Sequence, residues 1–186
     1  MGARARARRG VVLIGVVFVT GMPGSGKTTV ARLLARRFAL AAHIEGDAIQ
    51  NLIVSGGLHP NEEPQEEANR QLRLRTRNVA LLADSFAAHG VVPVVDDLLA
   101  GRRLDEYADD IRARPLRLIV LDPPLEVAEQ RDRARPEKTV FDLWRHLRPE
   151  LAGALGNRGV WLNNAAQTPD ETAALAAARL DQAVVA

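Results

Sequence analysis

The chain has 186 residues, 47% of them hydrophobic, which excludes wholesale disorder and leaves enough apolar surface for one sizeable core. It has no cysteine, so disulfides, thiolate zinc sites and cysteine nucleophiles are excluded, and a reducing cytoplasm is compatible. The formal net charge is +2, but four arginines (Arg4, Arg6, Arg8, Arg9) lie in the first nine residues, and without them the balance falls from +2 to −2. The basic character thus belongs to a short arm, residues 1–10, expected to be disordered, and residues 11–186 read as one slightly acidic domain.

An apolar run, Val11 to Val19, follows the arm. It is too short to span a bilayer, and it leads straight into a glycine-rich loop, so it reads as a buried strand closing at Val16 to Thr20 rather than as a signal segment. After the loop, Val30, Leu33, Leu34 and Phe38 share one helical face. A short second strand at Ala42 to Ile44 ends in Glu45-Gly-Asp47, and a small helix runs on through Val54. Ser55 to Pro60 is a loop by composition. A long helix is expected from Glu63 to His89, with Leu72, Val79, Leu82 and Phe86 as its apolar stripe. Val91 to Val95 is the third strand, against which Pro93 is a mild objection, and it ends in Asp96-Asp97. A helix over Arg102 to Arg112 precedes the fourth strand, Leu116 to Leu121. Helices follow from Leu125 to Arg133 and through Trp144 and Leu151. Val160 to Leu162 is the fifth strand, and Thr168 to Val184 the closing helix.

Alternation of this kind implies an α/β fold, a five-stranded parallel sheet with helices on both faces. Ligands in such sheets bind at the carboxyl ends of the strands. The glycine loop, Asp47 and Asp96-Asp97 each follow a strand, so the topology gathers them at one edge.

Gly21-Met-Pro-Gly-Ser-Gly-Lys27-Thr28 fits the G-x-x-x-x-G-K-[ST] phosphate loop of a P-loop NTPase without a mismatch, in the required strand–loop–helix setting. Gly21, Pro23, Gly24, Ser25, Gly26, Lys27, Thr28 and Thr29 frame the loop, whose backbone N–H groups (Pro23 has none) would curl round the phosphates of ATP. Lys27 supplies a point charge to the outer phosphates, and Thr28 offers a hydroxyl to magnesium. Lys27 is one of only two lysines in the chain, which makes its position more telling.

Asp96 is the favoured carboxylate for the metal and Asp97 the runner-up, since alternation sends them to opposite faces; either could be a turn aspartate. Asp47 is the candidate general base, with a plain helix cap as its alternative and Glu45 as a weaker candidate. Arg131, Arg133 and Arg135 precede Pro136-Glu-Lys138, where a lid over the transferred phosphate would lie, unless they form a solvated face. Arg131 and Arg135 are one turn apart and can point together. Arg70, Arg73 and Arg77 share a face of the long helix, to meet an anionic substrate or solvent. His59 sits where a small substrate would be covered, or on the surface. His43, His89 and His146 carry no signal.

Assembled, these residues resemble the small P-loop kinases of metabolites and antibiotics, most nearly the chloramphenicol phosphotransferase-like group, and more distantly gluconate and shikimate kinases. The resemblance rests on Gly21 to Thr29, Glu45-Gly-Asp47, Val94-Val-Asp-Asp97 and the turn from Arg131 to Lys138. It implies ATP, magnesium and phosphorylation of a small-molecule hydroxyl, with Asp47 at the base position. It also implies that adenine packs near Trp161-Leu-Asn-Asn164 and Thr168 to Glu171, although Asn163 stands where many relatives would have an aspartate.

Two other classes compete. A GTPase or ATPase switch is one, and the lack of an Asn-Lys-x-Asp guanine-reading motif counts against its GTPase form. A nucleic-acid end kinase is opposed by the acidic body and by an aromatic set of only two Trp, one Tyr and four Phe, too few for base-stacking platforms. The expected partner is a small hydroxyl compound, with neither a membrane nor a nucleic acid.

Overall fold

The computed structural model describes residues 15–134 and 141–186. The basic arm and the first residues of the apolar run lie outside them. Five strands, β1 (Val16–Gly21), β2 (Ala41–Glu45), β3 (Val92–Asp96), β4 (Leu116–Leu121) and β5 (Val160–Leu162), form one parallel sheet in the order β2-β3-β1-β4-β5. Eight helices connect them among the described residues: α1 (Lys27–Ala35), α2 (Gly46–Gln50), α3 (Gln65–Ala88), α4 (Arg103–Asp110), α5 (Leu125–Arg133), α6 (Phe141–Trp144), α7 (Leu147–Leu155) and α8 (Pro169–Ala178). This is the α/β sheet that the alternation of elements implies.

The sheet separates two cores. On one face, Val17, Val19, Val94 and Ile119 pack against α1 and α8 through Val30, Leu34, Ala173 and Ala176. On the other, Phe18, Val95, Leu118 and Val120 meet α3, α4 and α7 through Val79, Ala83, Tyr107 and Leu151. The central strands are apolar on both faces, as a sheet covered on both sides requires. Phe18 and Tyr107 stack 4.9 Å apart between ring centroids, fixing α4 across β1.

Three details differ from the sequence pattern, each for a local reason. Pro93 does sit in a central strand, but the β1–β3 ladder begins one residue later, at Val17 with Val94, so its missing N–H interrupts no pair of that ladder. The buried stripe of α3 is Ala68, Gln71, Arg75, Thr76, Val79, Ala80 and Ala83, whereas Leu82 is 38% exposed. Val79, Ala80 and Ala83 pack on the sheet core, whereas Gln71 and Arg75 nearer the helix start face polar partners, the 56–58 segment and Asp97. The closing helix stops at Ala178, because residues 183–186 turn back along β4: Leu118 N donates to the Ala183 carbonyl and Val185 N to that of Leu116. β5 pairs only with Ile119 to Leu121, so the first half of β4 takes its remaining partners from this C-terminal segment. A reciprocal capping box between Thr168 and Glu171 starts α8.

Candidate active site

The glycine loop leaves β1 at the centre of the sheet and enters α1. Gly26 caps α1 in the left-handed conformation, φ 89°, and no acidic residue occupies the first turn. The first amides of the helix are therefore open to an anion and carry its positive dipole end. Gly24 has φ +79°, and a β-carbon there would lie 1.9 Å from the Ala128 carbonyl oxygen, so α5 packs directly on the loop. On the far side, Asn164 Nδ2 donates to the Ser25 carbonyl at 3.0 Å. Ser25 Oγ is buried without a hydrogen-bond partner among the described residues, and Lys27 lies half-buried at the start of α1. These donors fit a polyphosphate.

Thr28, in the first turn of α1, donates its hydroxyl to Asp96 Oδ1 at 3.1 Å. Asp96 ends β3, one strand away from β1, and is 3% exposed. Its second oxygen accepts from His43 Nε2 on β2 at 2.5 Å. A hydroxyl beside a carboxylate is a hard oxygen pair that suits magnesium. That ion takes few protein ligands and completes its shell with water and phosphate oxygens.

Asp97 points to the other face of β3 and is fully engaged. It accepts from Arg75 Nη2 at 2.7 Å, from the Tyr107 hydroxyl at 2.8 Å and from the Leu98 amide at 2.8 Å. Arg75, on α3, reaches past it to Asp47 Oδ1 at 3.2 Å. Burial opposes the charge of Arg75, yet Asp97, Tyr107 and Asp47 outweigh it and hold the guanidinium above its ordinary value. Burial, reinforced by Asp97, pushes the Tyr107 phenol well above its ordinary value. Two carboxylates that adjoin in sequence thus have separate work, Asp96 toward Thr28 and Asp97 toward the interior.

Asp47 lies in the first turn of α2, after Gly46, with its side chain 74% exposed; the N-cap is Glu45, so the alternative reading of Asp47 as the helix cap does not hold. It lines a cleft of about 470 Å³ shared with Pro23, Lys27, Arg75 and Asp96. The outer wall is apolar, with Leu143, Trp144 and Leu147 from α6 and α7. The opposite rim is the segment carrying His59, Asn61 and Glu62. Two buried glutamines fix that rim: Gln50 Nε2 donates to the Leu58 carbonyl at 2.9 Å, and Gln71 takes the Leu58 amide at 2.7 Å and gives to the Gly56 carbonyl at 2.8 Å. Glu45 lies beside Arg32 instead, at 4.0 Å.

Arg131 donates to the carbonyls of Asn164 and Ala165 at 3.0 and 3.1 Å, holding the segment after β5 against the phosphate loop. Arg133 pairs with Glu129, and Arg135 and Lys138 lie outside the described residues. Of the arginines on α3, Arg70 is paired with Glu67, whose carboxyl its hydrogen bonds hold at about 2, and Arg77 lies 3.9 Å from Asp110; neither lines the cleft. The arginine that does line it, Arg75, escaped the sequence reading, although its place between Leu72 and Val79 on a buried stripe was a signal. His43, read as silent, sits on the same strand face as Glu45, and the pairing of β2 with β3 brings it to Asp96.

The chain belongs to a family described as an AAA domain, whose model matches residues 17–143. It is 32% identical over 106 residues to a UPF0200 protein of Aeropyrum pernix, a match covering 57% of this chain and 56% of that one. It is 31% identical over 122 residues to an adenylyl-sulfate kinase of Chloroflexus aurantiacus, covering 63% and 60%. The matches thus span less than two thirds of these relatives' own lengths. Among solved structures, a sugar kinase from Janibacter sp. is similar over 91% of this chain and 95% of its own, with a TM-score of 0.70 and 23% identity, a likeness of fold.

Proposed function

We propose that this P-loop domain is an ATP-dependent phosphotransferase that moves the γ-phosphate to a hydroxyl of a small molecule. The observation that carries the reading is that Asp47 and Lys27 face one cleft. A carboxylate set in the same cleft as a phosphate loop can take the proton of an acceptor hydroxyl, and the cleft leaves room for such an acceptor. The acceptor oxygen forms a bond to the γ-phosphorus, the bond from that phosphorus to the β–γ bridging oxygen breaks, and ADP leaves with that electron pair. Asp47 takes the hydroxyl proton, and Arg75 at 3.2 Å holds its carboxylate in place. Lys27 and the α1 amides hold the phosphate being transferred. Magnesium, when bound with the nucleotide at Thr28 and Asp96, would neutralise charge on the phosphate oxygens. Arg131 and Arg135 are proposed to close over the nucleotide.

The kinase name of one relative, the adenylyl-sulfate kinase, supports the reaction class, and the four motif segments favour the chloramphenicol phosphotransferase-like group within it. The reaction is assigned to the cytoplasm, where ATP and magnesium are supplied. The test is ADP release with magnesium and ATP across antibiotics, nucleosides, sugars and other alcohols. Release that rises with one acceptor class, together with a phosphorylated product, supports the proposal. Release at one rate regardless of acceptor, with no phosphorylated product, would favour a nucleotide hydrolase.

A further inference from the structure

Asp96 has both oxygens occupied. Thr28 gives to Oδ1 from α1, and His43 gives to Oδ2 from β2. A carboxylate only accepts hydrogen bonds, so the ring nitrogen is the donor. The sheet register explains how the ring gets there. His43 lies opposite Val94, and Glu45 opposite Asp96, so His43 and Asp96 are diagonal neighbours on one face. That separation is within reach of an imidazole. The ring is 15% exposed and the carboxylate 3%, so little water competes for the bond.

We infer that His43 is a positioning residue for the metal-bearing carboxylate: its ring locks the plane of Asp96, so that Oδ1 and the Thr28 hydroxyl meet a nucleotide-bound magnesium as a preformed oxygen pair. This rests on the reading of Thr28 and Asp96 as the magnesium site. A carboxylate held by one hydrogen bond can still turn about its own axis. Held by two, on opposite oxygens, it cannot, and the ordering is complete before the metal arrives. A purely structural role, tying edge strand β2 to β3, would stabilise the fold and leave the metal dependence alone.

The experiment separates the two. Equilibrium binding of a fluorescent ATP analogue is measured in EDTA and across a magnesium titration, with circular dichroism as the check on fold. His43→Phe keeps the ring and loses the donor, His43→Gln places an amide nitrogen near Nε2, and Asp96→Asn changes the receiving group. His43→Phe should need roughly 10- to 100-fold more magnesium for the same gain in affinity, the scale on which groups behind a metal ligand act. Its metal-free binding should stay near wild type, and His43→Gln should recover most of the loss. In the Asp96→Asn background, His43→Phe should add nothing further. Should the phenylalanine variant not fold, His43→Asn removes the same bond with a smaller polar group. A folded donor-less variant with wild-type magnesium dependence overturns the proposal. A wild type whose nucleotide binding is indifferent to magnesium instead removes the metal site on which the proposal stands.

Discussion

Arg75 Nη2 lies 2.7 Å from Asp97 Oδ1, in an ion pair whose two side chains are only 7% and 2% exposed. Removing one member leaves the other charged and dry, which costs far more than the pair is worth intact. Arg75→Met should therefore lower the unfolding free energy by about 3–5 kcal/mol in urea denaturation. A loss under about 1 kcal/mol, the scale of an exposed pair, would mean that water reaches Asp97.

Tyr107 is the only tyrosine in the chain, so phenolate absorbance reports this residue alone. Its folded pKa is raised by burial and by Asp97, so the fold favours the protonated phenol. The unfolded chain gives up that proton near pH 10 and the folded chain does not. This contribution to stability is whole below about pH 10 and declines as the pH climbs above it. Phenolate absorbance should appear together with loss of helical circular dichroism. A tyrosine that titrates near pH 10 in folded protein would contradict the burial.

Asp47→Asn keeps the shape of the side chain and removes its basicity. Nucleotide affinity should hold while transfer falls by roughly two to four orders of magnitude, the usual scale for a lost general base. Unchanged transfer would reduce Asp47 to an acidic residue in the first turn of α2.

Lys27→Ala takes away the charge at the head of α1. Nucleotide-dependent turnover should vanish with the fold intact by circular dichroism. Wild-type turnover would dismiss the phosphate loop as the nucleotide site.

Gln71→Leu should act on the acceptor side alone. It removes the hydrogen bonds to Leu58 and Gly56 that hold the His59 rim. One or two such bonds, at about 1 kcal/mol each, correspond to a rise in acceptor KM of roughly ten-fold. Equal losses in acceptor and ATP affinity would show that the rim is not a separate element.

Strand and loop positions were legible because their signals are local. β4, β5 and α5 begin and end where the apolar runs and the Pro123-Pro124 break place them. The phosphate loop was legible because its geometry demands glycines at fixed offsets. The contacts of Asp96 and Asp97 were only half legible: alternation sends them to opposite faces, but does not say which face holds Thr28. Arg75 was hidden by its type, since an arginine within a stripe is ordinarily read as a helix surface, and its partners lie 22 and 28 residues away. His43 was hidden because its meaning depends on the pairing of β2 with β3, which no local pattern states.

The strand order has a consequence of its own. β1 and β3, which carry the phosphate loop and Asp96, each have neighbours on both sides, whereas β2, which delivers Asp47, is at the sheet's rim and joined only to β3. The rim strand should exchange its amide hydrogens sooner than the middle of the sheet. Changes to the segment after β2 can accumulate without disturbing the strands beneath the nucleotide, whereas within β2 itself His43 is tied to Asp96. On the proposed phosphotransferase reading, a lineage could therefore trade one acceptor for another while its nucleotide site is inherited intact.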